Sequence, residues 1–190
     1  STLATGYLLL TRLEPSRRQV RFQTRSGALT VAREGERLVM DFPSRRAEAA
    51  PPAAGLLEAL GRKPAAVLLS ARAKNFLLVY GSADEVRALQ PDFAALARIE
   101  GHGVIVTAAG SGGVDFVSRY FAAWHGIPED PVTGSAHCTL TPYWADRLGK
   151  RDLVAQQISP RGGELFVSER GERIMIGGHC AFYLQGTIEI

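Results

Sequence analysis

One short loop of this chain combines a carboxylate, a hydroxyl group and a glycine at the start of a predicted helix. It runs from Gly126 to His137 and reads Gly-Ile-Pro-Glu-Asp-Pro-Val-Thr-Gly-Ser-Ala-His. The first N–H groups of a helix have no partners inside the helix and carry a partial positive charge, so they can bind a carboxylate or enolate oxygen. Gly134 lets a ligand approach the backbone, Ser135 can cap the helix or bind the ligand, and Asp130 places a carboxylate beside this anion site.

The loop by itself is compatible with two roles. Asp and Ser are common caps in front of helices, so Asp130 and Ser135 could serve only the helix. Alternatively, they serve a proton-transfer enzyme, which needs a carboxylate on each face of a carbon acid and hydrogen-bond donors for the developing enolate. The second role requires a matching half-site, and an internal repeat of the sequence points to one.

The chain contains two similar 16-residue segments. Residues 25–40 read Arg-Ser-Gly-Ala-Leu-Thr-Val-Ala-Arg-Glu-Gly-Glu-Arg-Leu-Val-Met, and residues 161–176 read Arg-Gly-Gly-Glu-Leu-Phe-Val-Ser-Glu-Arg-Gly-Glu-Arg-Ile-Met-Ile. Seven positions are identical without a gap, and the last three exchange one apolar residue for another. Both segments predict a β-hairpin with a glycine in its turn, and chance similarity between two hairpins is the alternative to a true repeat.

Each hairpin follows a predicted helix, over Thr2–Leu13 in the first repeat and Ala136–Leu148 in the second. Pro142 predicts a kink or a restart inside the second helix. The loop Pro128–Ser135 precedes the second helix, whereas the sequence begins at Ser1, inside the first helix. We therefore expect about 60 to 70 upstream residues that include the matching loop. Two equivalent helices would then direct their N-termini into a cleft between two lobes and hold one small anionic substrate.

The middle of the chain predicts further strands, a short helix over Asp84–Leu89 capped by Ser82, and a domain linker over the Pro-, Ala- and Arg-rich stretch Pro43–Pro52. In the strand ahead of the loop, alternation places Phe116, Ser118 and Tyr120 on one face and the intervening residues on the other. The predicted strands are residues 66–70, 75–80, 103–109 and 115–121, the last two flanking a turn at Gly110–Gly113.

Composition limits the classes of function. The 190 residues are 46% hydrophobic and 22% charged, with a formal net charge of +3, which is typical of a soluble domain with a sizeable core. The basic residues are scattered, so nucleic-acid binding is not expected. No apolar run reaches the ~18 residues of a membrane helix, and no signal peptide is evident. The two cysteines, Cys138 and Cys180, form no disulfide framework and no zinc signature, so we expect a cytoplasmic location and no metal.

The loop and its flanks resemble the phenazine-biosynthesis-like (PhzF-like) family. The resemblance rests on Asp115–His137, on Pro142–Lys150, and on Gln157–Leu165 with Ser159 and Arg161-Gly-Gly163. It implies a diaminopimelate-epimerase-like α+β fold, with two pseudo-symmetric lobes that each wrap a curved β-sheet or barrel around a central helix. It also implies proton transfer on a small carboxylated substrate, no metal or organic cofactor, and a homodimer.

For individual residues, the resemblance implies Asp130 as the second acidic group of the site, Gly134 as a backbone donor, and Ser135 as a ligand-binding or proton-relay group. We therefore assign Asp130 and Ser135 as catalytic, and Thr133, Gly134 and Ala136 as substrate-binding. The family's main acid/base Glu and its Gly-His pair would fall upstream of the first residue. We accordingly expect the chain as given to be inactive by itself.

Other candidate groups receive simpler interpretations. His137 is at least as compatible with packing or a surface position as with substrate contact, and the four histidines lack metal-ligand spacing. Arg119 could face a substrate carboxylate, but a surface ion pair is the simpler interpretation. Cys138 lies inside the helix and is interpreted as core, which argues against a racemase that uses two thiols. Gly110–Gly113 lacks the lysine of a phosphate loop, so a turn is favoured.

These observations lead to one hypothesis and one alternative. We predict the remainder of an N-terminal lobe at residues 1–50, a C-terminal lobe at 51–180, and a final strand at 181–190 with the N-terminal lobe as its candidate partner. The hypothesis is a cofactor-independent isomerase that moves a proton on a small carboxylated metabolite. The alternative is a non-catalytic small-molecule-binding or interaction protein that keeps the fold. An upstream segment with the Glu and the Gly-His pair would favour the enzyme.

Overall fold

The chain divides into two compact units, and its mixture of helices and strands confirms the predicted α+β class. One unit contains Ser1–Asp41 and Gly177–Ile190, and the other contains Phe42–Ile176. No helix within the described ranges is both long and apolar enough to cross a bilayer. The structure, a computed structural model, describes residues 2–24, 27–99 and 101–187.

The first unit packs a helix against a three-stranded antiparallel sheet. Helix α1 (Thr2–Leu8) continues as a π-helical turn over Leu9–Leu13, which confirms the helical stretch predicted there. At Gly6 a Cβ atom would lie only 2.7 Å from Cγ1 of Val31, so a larger residue would push the helix off the sheet. The strands, in sheet order, are β1 (Gln19–Thr24), β2 (Gly27–Glu34) and β3 (Arg37–Pro43).

The sequence-based segment boundaries differ from those of the structure. The stretch predicted as a linker belongs to the second unit, because Glu48–Ala49 forms a strand that pairs with Leu68 and Leu69. Residues 181–187 form no strand, and every side chain in that range is exposed, so the predicted final strand is wrong over these residues. The rest of that prediction, residues 188–190, lies outside the described residues, as do Ser1 and the first two residues of the 25–40 segment.

The second unit is built on a mixed sheet, in which the order across the strands is β11-β10-β9-β8-β7-β6-β5-β4. Two neighbouring pairs, β6 with β7 and β8 with β9, are parallel. The strands predicted at 66–70 and 103–109 have the predicted bounds, and Gly110–Gly113 forms the predicted turn. The strands are β4 (Glu48–Ala49), β5 (Ala66–Ser70), β6 (Asn75–Val79), β7 (Gly103–Ala109), β8 (Phe116–Phe121), β9 (Asp152–Gln157), β10 (Gly163–Arg170) and β11 (Arg173–Gly178).

The second unit also contains α2 (Leu56–Leu60), α3 (Ala83–Ala88), α4 (Phe93–Leu96) and α5 (Gly134–Leu148). The Ser82 hydroxyl accepts the Glu85 N–H at 3.2 Å, which confirms the predicted cap of α3. Helix α5 begins before its predicted start at Ala136 and passes through Pro142 without restarting. Because proline has no N–H, the Cys138 carbonyl oxygen lacks a helical donor, and the Arg45 N–H donates to it at 3.0 Å instead.

The two faces of this sheet bury separate cores. One face packs against α2, α3 and α4 and includes Val117 and Phe121, whereas the other packs against α5 and includes Phe116 and Tyr120. This confirms the alternation predicted for β8. Neighbouring strands lie about 4.8 Å apart, so one helix about 10 Å wide can touch seven strands only where the sheet curves around it. Side chains from β5 to β11 join the α5 core through Leu68, Leu77, Ile105, Phe116, Ala155, Leu165 and Ile174.

Candidate functional site

One buried side chain, that of Gln157 at the end of β9, holds the loop in front of α5. Its Nε2 donates to the Asp130 carbonyl oxygen at 2.6 Å, and its Oε1 accepts the Thr133 N–H at 2.7 Å. The same Nε2 lies 3.3 Å from Oγ1 of Thr133. The side chain has no solvent exposure, so these bonds are made without competition from water. Gln157 therefore fixes both ends of residues 130–133, the segment that links Asp130, the predicted acid/base, to helix α5.

The residues between these ends are fixed by the hairpin of β9 and β10. The Ser159 hydroxyl donates to the Pro131 carbonyl oxygen at 2.8 Å and accepts the Gly162 N–H at 3.0 Å. Gly163 leaves room for Val132, because a Cβ atom on Gly163 would lie 2.5 Å from Cγ2 of Val132. The loop conformation thus depends on a hairpin that follows it in the chain.

A buried ion pair fixes the residue ahead of Asp130. The Nε and Nη2 atoms of Arg119 each donate to a Glu129 carboxylate oxygen at 2.8 Å, and both side chains are only 11% exposed. Nη1 of Arg119 also donates to the carbonyl oxygens of Leu89 and Val86 at 2.8 and 3.2 Å. The predicted surface position is therefore wrong, because carbonyl oxygens at the end of α3 and the Glu129 carboxylate together hold the guanidinium inside the protein.

Asp130 is half-buried, and its backbone N–H donates to the Tyr120 carbonyl oxygen at 3.0 Å. Its carboxylate accepts a hydrogen bond from the Thr133 hydroxyl. Burial raises the pKa of the Tyr120 hydroxyl, and the nearby Asp130 charge raises it further. A capping carboxylate accepts a hydrogen bond from a backbone N–H of the first helical turn. The bond that Asp130 accepts comes from the Thr133 side chain instead, so it gives no support to a simple capping role.

The start of α5 has open space where a side chain on Gly134 would lie. Thr133 occupies the N-cap position but makes no side-chain cap hydrogen bond, since its hydroxyl binds Asp130. A Cβ atom on Gly134 would meet no atom within 4 Å, and Ser135 is exposed. The side chain of Ala136 is 1% exposed and belongs to the α5 core, so only its backbone can face a ligand. The structure thus brings the five predicted site residues together around one helix end.

The two residues that follow lie in the core. His137 is fully buried, its Nδ1 lies 2.8 Å from the Thr133 carbonyl oxygen, and burial lowers its pKa to about 4. Cys138 is 1% exposed, and burial raises the pKa of its thiol to about 11. The core interpretation of Cys138 is confirmed, and His137 packs inside the protein rather than at the surface. Neither group ionises near pH 7.

Sequence reasoning missed the roles of Gln157 and Ser159, which it noted only as parts of the family resemblance. Both follow the loop by more than twenty residues and reach it because β8 and β9 are parallel neighbours, with Ser118 beside Gln157 in the register. The available signal was alternation, because Gln157 lies on the same face of β9 as the apolar residues Leu153 and Ala155.

An α+β sheet that curves around one helix, with a carboxylate-bearing loop fixed at the N-terminus of that helix, defines the class of this protein by its fold and its candidate site. The model of the phenazine biosynthesis-like protein family matches residues 1–186 of the chain. This chain belongs to the phenazine biosynthesis-like family. The resemblance of the loop to that family is thereby confirmed.

Similar proteins agree in fold and in class of activity. Two proteins of Pseudomonas aeruginosa that are named uncharacterized isomerases are 48% and 47% identical over 100% of this chain, which covers 72% of each. A crystal structure of a phenazine biosynthesis PhzC/PhzF protein from Clostridium difficile superposes with a TM-score of 0.91 at 36% identity, over 100% of this chain and 72% of that one. The fold is therefore the family fold, and the names of the relatives support an isomerase activity.

Proposed function

We propose that this protein is an isomerase that transfers a proton on a small carboxylated metabolite, with Asp130 as an acid/base. The observation that carries the proposal is the pair of hydrogen bonds that Gln157 makes, one donated to the Asp130 carbonyl oxygen at 2.6 Å and one accepted from the Thr133 N–H at 2.7 Å. These bonds fix the backbone at Asp130 and Thr133 beside the start of α5, and positioned proton transfer needs such a fixed geometry. The isomerase names of the relatives support the same class of reaction.

In this proposal the first N–H groups of α5, at Gly134, Ser135 and Ala136, bind the carboxylate or enolate oxygen of the substrate. The partial positive charge of the helix N-terminus stabilises the negative charge that develops as a carbon-bound proton leaves. Asp130 exchanges a proton with one face of the substrate, as the second of the two acidic groups that the resemblance implies. The hydrogen bond from the Thr133 hydroxyl restrains the rotation of the Asp130 side chain. The exposed Ser135 hydroxyl binds the substrate or relays a proton.

The test follows isotope exchange on candidate small carboxylates, with a dihydro-hydroxyanthranilate among them, in deuterated water. Incorporation of solvent deuterium, detected by mass spectrometry, would contradict the expectation that the chain is inactive by itself, and Asp130→Asn should slow it by roughly 10² to 10⁴, the usual contribution of a general acid/base. Ser135→Ala should also slow it. Asp84→Asn is the matched control, because Asp84 is an exposed aspartate in the first turn of α3.

A second arm separates binding from catalysis. Anthranilate, a stable carboxylate, should shift the amide resonances of Gly134 and Ser135 in a ¹⁵N-labelled sample. Shifts at these amides without any deuterium incorporation would favour the non-catalytic alternative. Unchanged incorporation in both Asp130→Asn and Ser135→Ala would remove these residues from the mechanism.

A further inference from the structure

The imidazole of His137 makes a hydrogen bond that packing does not require. Its Nδ1 lies 2.8 Å from the carbonyl oxygen of Thr133, and a carbonyl oxygen only accepts, so Nδ1 carries the proton. Nε2 then keeps its lone pair, and among the described residues this buried atom has no hydrogen-bond partner. A leucine at this position would fill similar space beside Phe116 without an unpaired polar atom, so stability alone does not favour histidine.

The bond acts on the peptide unit that joins Thr133 to Gly134. The carbonyl group of Thr133 and the N–H of Gly134 belong to the same rigid plane and point in opposite directions. Holding the carbonyl oxygen from inside the protein therefore fixes the direction of the Gly134 N–H. The preceding peptide is held in the same way, since its Thr133 N–H binds the buried Gln157.

We propose that His137 is a positioning residue, whose Nδ1–H holds the Thr133 carbonyl oxygen and so directs the Gly134 N–H toward the anionic oxygen of the substrate. This inference rests on the proposed function of the α5 N-terminus. The hydrogen bond also polarises the peptide, which makes the Gly134 N–H a stronger donor. His137 itself touches no substrate, because its side chain is fully buried.

The first experiment reads the tautomer in the ligand-free protein. The ¹⁵N spectrum of the labelled imidazole should show a protonated Nδ1 and an unprotonated Nε2 at neutral pH. A proton on Nε2 would overturn the proposal, because Nδ1 could then not donate to Thr133. Substituted chains supply the second readout: His137→Asn retains an N–H donor close to the place of Nδ1, and His137→Leu has the same branched shape without the donor. Urea titration first verifies that both variants are folded under the conditions used.

In the ligand-free variants, the amide proton of Gly134 should keep its resonance in His137→Asn and move in His137→Leu. In a titration with anthranilate, His137→Leu should bind about tenfold more weakly, the effect expected for one hydrogen bond, and His137→Asn should recover most of the affinity. Equal behaviour of the two variants would show that His137 acts only by packing and would overturn the proposal. If anthranilate does not bind the unsubstituted protein, the proposed function fails, and the ligand-free Gly134 resonance still decides whether His137 positions this amide.

Discussion

Replacing Gln157 with leucine tests the feature on which the site geometry depends. The substitution removes the bonds to the Asp130 carbonyl oxygen and the Thr133 N–H, which are 2.6 and 2.7 Å long. Each buried polar group left without a partner costs about 1–3 kcal/mol. Burial of the leucine side chain offsets part of this loss. We therefore expect the free energy of unfolding to fall by about 2–4 kcal/mol.

Urea denaturation followed by circular dichroism measures this effect. For a protein with a slope of about 2 kcal/mol per molar urea, the expected loss lowers the midpoint by about 1–2 M. Gln156→Leu is the matched control, since the neighbouring side chain is exposed and points to the other face of the sheet. That variant should change the free energy of unfolding by less than about 0.5 kcal/mol.

Two results would refute the reasoning. One is a loss below about 1 kcal/mol in Gln157→Leu, which would mean that the loop satisfies its backbone groups without this side chain. The other is an equal loss in Gln157→Leu and Gln156→Leu, which would point to a general sensitivity of β9. A large loss confined to Gln157→Leu supports the conclusion that the Gln157 side chain holds the loop in place.

Three further predictions concern buried groups of the second unit. Arg119→Met should lower the free energy of unfolding by about 3–5 kcal/mol, because it leaves the Glu129 charge buried without its partner. Adding Glu129→Gln to this variant should restore part of the loss. Equal losses in the single and the double variant, measured by urea titration, would contradict the ion-pair argument. Burial lowers the pKa of His137 in the folded protein to about 4, so the unfolded chain takes up this proton first as the pH falls below 6.5. The free energy of unfolding should therefore decline by up to ~1.4 kcal/mol per pH unit between pH 6.5 and pH 4. His137→Asn should lack this part of the pH dependence. Parallel plots of the free energy of unfolding against pH for the two proteins would contradict the prediction. Iodoacetamide at pH 8 should modify the half-buried Cys180 well before Cys138 in the folded protein, as read by mass spectrometry, and equal rates would contradict the burial of Cys138.

The sequence by itself determined much of the local structure and the loop in which we propose the site. Alternation assigned the faces of β8, and a serine followed by an acidic turn marked the start of α3, because both signals depend only on neighbours in the chain. The loop motif around Asp130 and Gly134 led to the family and to the helix end that the structure leaves open. These features depend on residues a few positions apart.

Only the tertiary structure decided what holds that loop in place. Gln157 reaches Thr133 across 24 residues because parallel pairing brings β9 beside β8. Arg119 is buried because α3, some thirty residues earlier, supplies carbonyl oxygens to it, and α5 continues through Pro142 because Arg45 donates to the carbonyl oxygen that proline leaves free. Hydrogen bonds between distant segments depend on strand order and packing, and neither leaves a periodic trace in the sequence.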